Sequence, residues 1–443
     1  MLRRNKIVMM GGGSYNWCPR LLCDLVQTPE LEGSEVALLD PNLAAAKEIK
    51  AAAERICADN HKDFRFVATS DEDEAFAGAD FVLITISTGG LATMRHDLEI
   101  PERHGIYHTV GDSVGPGGWS RLLRNVPVFT AMARKIERLS PNAVVLNYSN
   151  PMAGLTGAIC AVSKLRTVGL CHGVVGTLHY LSRIFGVDMK DMSFRYGGVN
   201  HFFWILDFKV KGEDGYALLR GKLGGATLTK FDKASKDPAG FSDNSHELFA
   251  ELFEHFGHLT YSADRHSSEC FAAYLTDPAM IKRFKLVRTT IAERQEGLDK
   301  ARQFALDMAS GKQGMLEPSA ETAVDIMKAF VTNTPFVDVV NLPNIGQIDN
   351  LPRGAVVETL GQVNSLGFTP LAVGPMPERL RVILDPHCQI QKMTLEAAMA
   401  GDRELAFEAL ILDPLCAKLC PTDIKKMGEE LLAANKAYLP QFN

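Results

Sequence analysis

Short apolar runs alternate with stretches of helical periodicity along the first part of the chain. The strand-like runs lie at residues 6–10, 35–40, 64–69, 80–85, 143–146 and 167–170. Helical patterns follow Ser14 and Pro151 and also cover residues 43–58, 71–78 and 126–139. Because strands that alternate with helices build a parallel sheet covered on both faces, this order predicts a doubly wound α/β domain over residues 1–195.

The pattern becomes mixed beyond that domain. In chain order, the segments are a strand-like run (202–211), a polar loop (232–245), two long helical patterns (277–309 and 319–331) and a stretch rich in Pro, Gly and Asn (341–377). We therefore expect a Rossmann-type doubly wound parallel sheet followed by an α+β domain over residues 196–443, the overall organisation of lactate and malate dehydrogenases.

Composition and charge exclude several kinds of partner. The chain is 46% hydrophobic and 23% charged, and no apolar run reaches the roughly 18–20 residues of a membrane span. A formal net charge of −6 without a basic tract argues against binding to nucleic acid or acidic membranes. The nine cysteines form no Cys-x-x-Cys pair, and the apolar run at 7–10 is too short for a signal peptide. We expect a cytoplasmic protein with a small-molecule ligand.

A glycine-rich loop after the first predicted strand indicates a dinucleotide site. The loop is Gly11-Gly12-Gly13-Ser14, where backbone N–H groups and the dipole of the following helix can hold a pyrophosphate. Asp40 ends the next strand, near where an acid that binds the ribose is expected. A carboxylate there favours NAD over its 2′-phosphorylated relative. The alternative is a glycine turn beside a surface aspartate.

Several segments, in their order and spacing, resemble glycoside hydrolase family 4. They are VGPGG at 114–118, LRNVP at 123–127, NYSNP at 147–151, GLCHG at 169–173, GVNH at 198–201 with Trp204, and NIGQIDNLP at 344–352. The resemblance extends from the glycine loop to residues 401–403. It implies a glycosidase that depends on NAD and a divalent metal, most often Mn²⁺, and it assigns residues 196–443 to substrate and metal binding and to oligomerisation.

The resemblance also implies the metal and substrate ligands. Cys171 and His201 correspond to the metal ligands, although a soft thiolate would by itself suggest zinc or iron. A buried inert cysteine and a core histidine are the alternatives. Asn150 corresponds to a residue that contacts cofactor and sugar hydroxyls, or is a turn residue before proline. We expect Asn200 to donate a hydrogen bond to the substrate or to a group next to the metal. The alternative is a turn residue.

The chemistry implied by the family is not the usual two-carboxylate hydrolysis. It comprises oxidation at C3 by NAD, removal of the C2 proton, elimination of the aglycone, addition of water and re-reduction. We expect Asp264 to be the base, with Tyr261 as the second candidate and a helix N-cap as the other interpretation of Asp264. His172, whose pKa is suited to proton donation, and Asp112 are equal candidates for the acid that protonates the leaving group.

The segment at 107–115 is similar to the uronidase branch, which implies an α-galacturonidase or α-glucuronidase. A uronate carboxylate calls for a bidentate donor, and we expect Arg265 in that role unless it forms a surface salt bridge. An α-galactoside, a phospho-glucoside and a sulfoquinovoside stay alternatives. A 2-hydroxy-acid dehydrogenase and a non-catalytic NAD sensor are the rivals from other classes. The family also implies a homo-oligomer, a dimer or a tetramer.

Overall fold

The computed structural model describes residues 4–171, 173–231, 235–236 and 243–442. Its strands are β1 (Lys6–Met10), β2 (Glu35–Leu39), β3 (Arg65–Thr69), β4 (Phe81–Ile84), β5 (Val144–Asn147), β6 (Arg166–Gly169), β7 (Met192–Val199), β8 (Phe202–Val210), β9 (Glu213–Asp214), β10 (Ser235–Lys236), β11 (Asp243–Asn244), β12 (Leu259–Thr260), β13 (Phe336–Pro343), β14 (Val356–Asn364) and β15 (Gly367–Pro370).

The α-helices are α1 (Cys18–Val26), α2 (Leu43–Asp59), α3 (Glu72–Phe76), α4 (Gly90–Arg103), α5 (Gly115–Leu139), α6 (Met152–Val162), α7 (Gly173–Phe185), α8 (Gly215–Leu223), α9 (Glu247–Phe256), α10 (Asp264–Ser267), α11 (Ala272–Leu275), α12 (Pro278–Arg283), α13 (Ile291–Ala309), α14 (Ala323–Thr332), α15 (Glu378–Ala400), α16 (Arg403–Ile411) and α17 (Pro421–Ala434). Among the described residues, none of these helices has both the length and the apolar character needed to cross a bilayer.

The first half of the chain forms the predicted doubly wound sheet. Strands β3, β2, β1, β4, β5 and β6 lie side by side in that order, and all of their pairings are parallel. Their runs of Val, Ile, Leu and Phe are buried on both faces, as parallel strands require. The chain reverses its direction of winding between β1 and β4, and the crevice at the carboxyl ends of such strands is where this fold binds ligands.

The same sheet continues into the second half of the chain. Strand β13 pairs antiparallel with β6 and with β14, and β7, β8 and β12 extend the sheet from β14. Side chains of α13 and α14 also belong to the apolar cluster that contains β1, α1 and α2. The chain on either side of residue 195 therefore shares a sheet and a core, and the division there stays a prediction.

Some elements differ from the sequence prediction. The long helical pattern at 277–309 is two helices, because Thr290 and Glu293 form a capping box that starts α13. The helix predicted at 126–139 begins earlier, at Gly115. The Pro/Gly/Asn-rich stretch at 341–377 contains the antiparallel pair β14 and β15. Most of the polar loop predicted at 232–245 lies outside the described residues.

Candidate active site

The glycine loop is pressed against the end of β2. The N–H groups of Gly11 and Gly12 donate to the Leu39 carbonyl at 3.0 and 2.9 Å. A Cβ atom on Gly12 would lie 2.5 Å from the Leu38 backbone, so a side chain does not fit there. Helix α1 starts at Cys18, a few residues later than the predicted start after Ser14. The loop therefore presents backbone rather than side chains at the mouth of the crevice.

Asp40 lies directly beside this loop. Its Oδ2 accepts a hydrogen bond from the Gly13 N–H at 3.0 Å, and its Oδ1 accepts one from the Asn42 N–H at 2.8 Å. The side chain is half-buried. The structure thus brings together the loop and the acid that were predicted to bind the dinucleotide, and their roles stay predictions.

The ends of β4 and β5 connect this loop with a polar cluster. The Ile86 N–H donates to Ser149 Oγ at 2.8 Å, and the next residue, Asn150, donates from Nδ2 to Asp112 Oδ2 at 3.2 Å. Asp112 Oδ1 accepts from Ser113 Oγ at 2.7 Å. Burial alone raises the pKa of Asp112, but the nearby charge of Arg121 and the two imidazoles beside it lower that pKa well below its usual range.

Asp112, His201 and His266 form a group of possible metal ligands. One ligand atom of each lies within 4.8 Å of the others. The two imidazole rings are 4.1 Å apart between centroids, and Ser113 Oγ lies 3.1 Å from His201 Nδ1. Two imidazoles with one carboxylate suit a divalent transition metal. His266 was inside the segment considered for the base but was given no role from sequence.

His201 occupies an unusual backbone position. It is the second residue of the two-residue turn between β7 and β8, where Val199 pairs with Phe202. Its φ is +65°, in the left-handed region where such turns usually carry glycine. A histidine held there costs about 1–3 kcal/mol and is typical of a functional position.

Cys171 follows the end of β6 and lies close to this turn. Burial raises the pKa of its thiol to about 12, and the charge of Glu358 adds to the increase. The Gly173 N–H and the Asn200 side chain act in the opposite direction. Within the described part of the chain, Cys171 is not part of the group formed by Asp112 and the two histidines. It is connected to His201 through the neighbouring Asn200.

Asn200 bridges Cys171 to a buried carboxyl group that sequence reasoning missed. Its Nδ2 donates to Glu358 Oε2 at 3.1 Å. Glu358 is 1% exposed, and its Oε1 has no hydrogen-bond partner among the described residues. Burial raises the pKa of Glu358 to about 7. Asn200 lies in the turn between β7 and β8, as one of its two interpretations expected, and its role toward the substrate or the metal stays a prediction.

The two candidates for the base occupy different places. Asp264 accepts hydrogen bonds from the N–H groups of Leu248 and Phe249 at 3.2 and 2.9 Å and from Ser245 Oγ at 3.3 Å. It therefore caps the start of α9, and burial raises its pKa to about 6. The Tyr261 ring instead stacks beside the imidazoles of the metal-ligand group. The assignment of Asp264 as the base stays a prediction.

Tyr261 also lies against the segment that follows Cys171. Its ring centroid is 5.8 Å from that of His201 and 5.5 Å from that of His266. A Cβ atom on Gly173 would come within 3.1 Å of the same ring. His172, one of the two candidates for the leaving-group acid, lies outside the described residues.

Arg265 is directed into the protein. It is 7% exposed, and its Nη2 donates to the Thr109 carbonyl at 3.2 Å and to Thr289 Oγ1. It is therefore buried rather than on the surface, where the alternative salt bridge was expected. These contacts hold the segment that leads to Asp112, and the assignment of Arg265 to a uronate carboxylate stays a prediction.

Glu269 fixes the conformation of the loop that carries Asp112. Its Oε1 accepts four hydrogen bonds at 2.8–3.1 Å, from His108 Nδ1 and from the N–H groups of Thr109, Val110 and Gly111. Because the Gly117 N–H donates to His108 Nε2 at 3.1 Å, the ring proton must be on Nδ1. Sequence reasoning identified neither Glu269 nor His108.

A cleft that is partly open to solvent lies beside this cluster. Ser113, Asn200 and Pro151 line the part of the cleft next to the metal-ligand group, and α15 forms the far wall.

Two family models cover nearly all of the chain. Residues 6–187 match the family 4 glycosyl hydrolase model, and residues 196–416 match the model of its C-terminal domain. The chain belongs to glycosyl hydrolase family 4. An α-galacturonidase from Thermoanaerobacter italicus is 32% identical, covering 98% of this chain and 97% of the relative. An α-galactosidase from Bacillus subtilis is 31% identical over 99% of both chains.

Solved structures confirm the fold of this family 4 protein. The crystal structure of the putative glucosidase lplD from Bacillus subtilis superposes with a TM-score of 0.86 at 30% identity, covering 97% of this chain and 100% of that one. A 6-phospho-α-glucosidase from gut microorganisms, solved in complex with NAD and glucose 6-phosphate, has a TM-score of 0.84 at 21% identity over the full length of both chains. The predicted family and the predicted Rossmann-type organisation are therefore confirmed.

Proposed function

We propose that this family 4 protein is an NAD- and divalent-metal-dependent α-galacturonidase. The observation that carries the proposal is the continuous line of contacts from the glycine loop to the metal-ligand group. Thr85, at the end of β4, touches Gly11, and Ile86 contacts Ser149 beside Asn150, which donates to Asp112. A dinucleotide on the loop and a sugar at the metal would therefore meet at one edge of the sheet.

The donor set fits a divalent metal. His201 would hold the ion together with Asp112 and His266, whose ligand atoms lie within 4.8 Å of one another, and the family resemblance adds Cys171 as a ligand. Both Asp112 oxygens accept hydrogen bonds, so the group has the geometry of an ionised carboxylate. When bound, NAD⁺ would accept a hydride from C3, and the metal would polarise the C2 and C3 oxygens as a Lewis acid.

The side chains of this protein divide the proton transfers between them. Tyr261 is the better candidate for removing the C2 proton, because its ring faces both imidazoles while the Asp264 carboxylate caps α9. An ionised Asp112 has no proton to give, which favours His172 as the acid that protonates the leaving group. Asn150 and Asn200 would orient sugar hydroxyls.

The proposed glycone is a uronic acid. Several relatives that span nearly the whole chain are α-galacturonidases, from Thermoanaerobacter italicus and two other bacteria at 32% identity. A neutral α-galactoside is the second candidate, because α-galactosidases are found among relatives of similar identity and coverage. We also propose that the protein is cytoplasmic. We further propose that it forms a homo-oligomer, a dimer or a tetramer, and light scattering of the purified protein would test this oligomeric state.

The proposal is tested with 4-nitrophenyl α-D-galacturonide, α-D-glucuronide and α-D-galactoside, each with and without NAD⁺ and Mn²⁺. We expect release of nitrophenol from the galacturonide only when both are present, with no net formation of NADH. Stoichiometric NADH would instead favour a dehydrogenase. Preference for the galactoside would mean that the substrate is a neutral α-galactoside, the second candidate, rather than a uronide.

A further inference from the structure

Arg121 lies in the second turn of α5, close to the metal-ligand group. Its Nε donates to the Asn150 carbonyl at 3.0 Å, which fixes the plane of the guanidinium. The side chain is only partly buried. Asp112 is within its electrostatic range, although the two groups form no hydrogen bond.

Three other arginines around this loop are already engaged. Arg124 forms a fully buried bidentate pair with Asp97 at 2.8 and 2.5 Å. Arg265 donates from Nη2 to Thr109 and Thr289. Arg288 pairs with Glu102 at 2.7 Å and donates from Nε to the His108 carbonyl. Each of these guanidiniums therefore stabilises the protein itself.

Arg121 is different because its terminal nitrogens are uncommitted. Within the described part of the chain, nothing accepts a hydrogen bond from its Nη1 or Nη2. A guanidinium held by one edge presents its two remaining donors as a fork, which matches the two oxygens of a carboxylate. Partial burial strengthens such a pair relative to one on the open surface.

We propose that Arg121 binds the carboxylate of the uronic acid substrate and so determines the preference for uronides. This assignment rests on the proposed function. It places the carboxylate beside Asn150, on the side of the metal-ligand group where α5 begins. The negative charge of Asp112 repels a substrate carboxylate nearby. The positive charge of a bound divalent ion would offset this repulsion. Arg121 is thus a specificity-determining residue of the same site.

The test compares Arg121→Gln and Arg121→Lys with wild type and with Arg134→Gln, a control at an exposed arginine on the same helix. Binding of galacturonic acid, galactose and NAD⁺ is measured by calorimetry with Mn²⁺ present. The kcat/KM is measured for 4-nitrophenyl α-D-galacturonide and 4-nitrophenyl α-D-galactoside. We expect Arg121→Gln to weaken galacturonic acid binding about 10–100-fold, with galactose and NAD⁺ affinities within about threefold of wild type. Arg121→Lys keeps the charge but loses the forked pair of donors, so its affinity for galacturonic acid should lie between those of wild type and Arg121→Gln.

The outcomes separate this assignment from the proposed function. If wild type cleaves the galacturonide but Arg121→Gln keeps its affinity for galacturonic acid, or loses galacturonic acid and galactose equally, Arg121 is not the carboxylate receptor and the function stands. If Arg121→Gln weakens only the binding of NAD⁺, Arg121 binds the cofactor rather than the substrate, and the assignment is overturned. If wild type cleaves no uronide, both proposals fail.

Discussion

Removing the Glu269 carboxylate should release the loop that carries Asp112. In Glu269→Ala, the N–H groups of Thr109, Val110 and Gly111 lose a shared acceptor, and His108 loses the partner of its Nδ1–H. An unsatisfied buried donor costs about 1–3 kcal/mol, and the costs are not additive when water enters, so we expect a loss of about 3–5 kcal/mol in the free energy of unfolding. Glu269→Gln keeps an acceptor oxygen and should lose about 1–2 kcal/mol, the part that depends on charge.

Urea unfolding of both variants, with Glu254→Gln as a control at an exposed glutamate, measures this difference. Because Asp112 is on the same loop, Glu269→Ala should also weaken Mn²⁺ binding by about tenfold or more, as loss of an outer hydrogen-bond partner does at metal sites. A Glu269→Ala protein with wild-type stability and wild-type Mn²⁺ affinity would refute the role given to this carboxylate.

Three further predictions concern other parts of the site. Cys171→Ser should abolish activity by weakening Mn²⁺ binding while NAD⁺ affinity stays near wild type; calorimetry with each ligand checks this, and retention of both activity and metal affinity would remove Cys171 from the site. Asp40→Ala should raise the Kd for NAD⁺ about 3–30-fold, since a hydrogen bond to a charged acceptor is lost, and an unchanged Kd would mean that another group binds the ribose. Burial raises the pKa of Asp413 to about 6, above its unfolded value, so this group contributes stability that is present below about pH 4 and lost as the pH rises through 6. Asp413→Asn cannot ionise, so the free energy of unfolding of wild type minus that of the variant should fall by about 2 kcal/mol between pH 4 and pH 7, and a difference independent of pH would contradict this.

The sequence predicted best the features that depend on neighbouring residues. The proximity of the glycine loop to Asp40 could be expected because strand, turn and helix signals lie within one βαβ unit. The start of α13 was also within reach, since Thr290 and Glu293 have the spacing of a capping box. The pairing of β13 and β14 was missed because Pro, Gly and Asn in the surrounding stretch masked the alternation of the strands.

Contacts between distant segments could not be predicted from one sequence. Glu269 and Gly111 are 158 residues apart, and nothing local indicates that a carboxylate supports that loop. The segment at 261–266 contains four side chains that could serve catalysis or binding. Only the packing of α9 against α10 decides that Asp264 faces a helix terminus while Tyr261 and His266 face His201.

Under the proposed function, hydrolysis by this protein requires NAD⁺ and breaks the C2–H bond of the glycone. The direct measurement is turnover of 4-nitrophenyl α-D-galacturonide in D₂O with Mn²⁺, before and after complete removal of NAD⁺, with the released galacturonic acid analysed for deuterium at C2. We predict that turnover stops without NAD⁺, returns when it is added, and gives product labelled at C2 without accumulation of NADH. An oxocarbenium mechanism leaves the C2–H bond intact. Hydrolysis at full rate after removal of NAD⁺, with no deuterium at C2, would contradict the account.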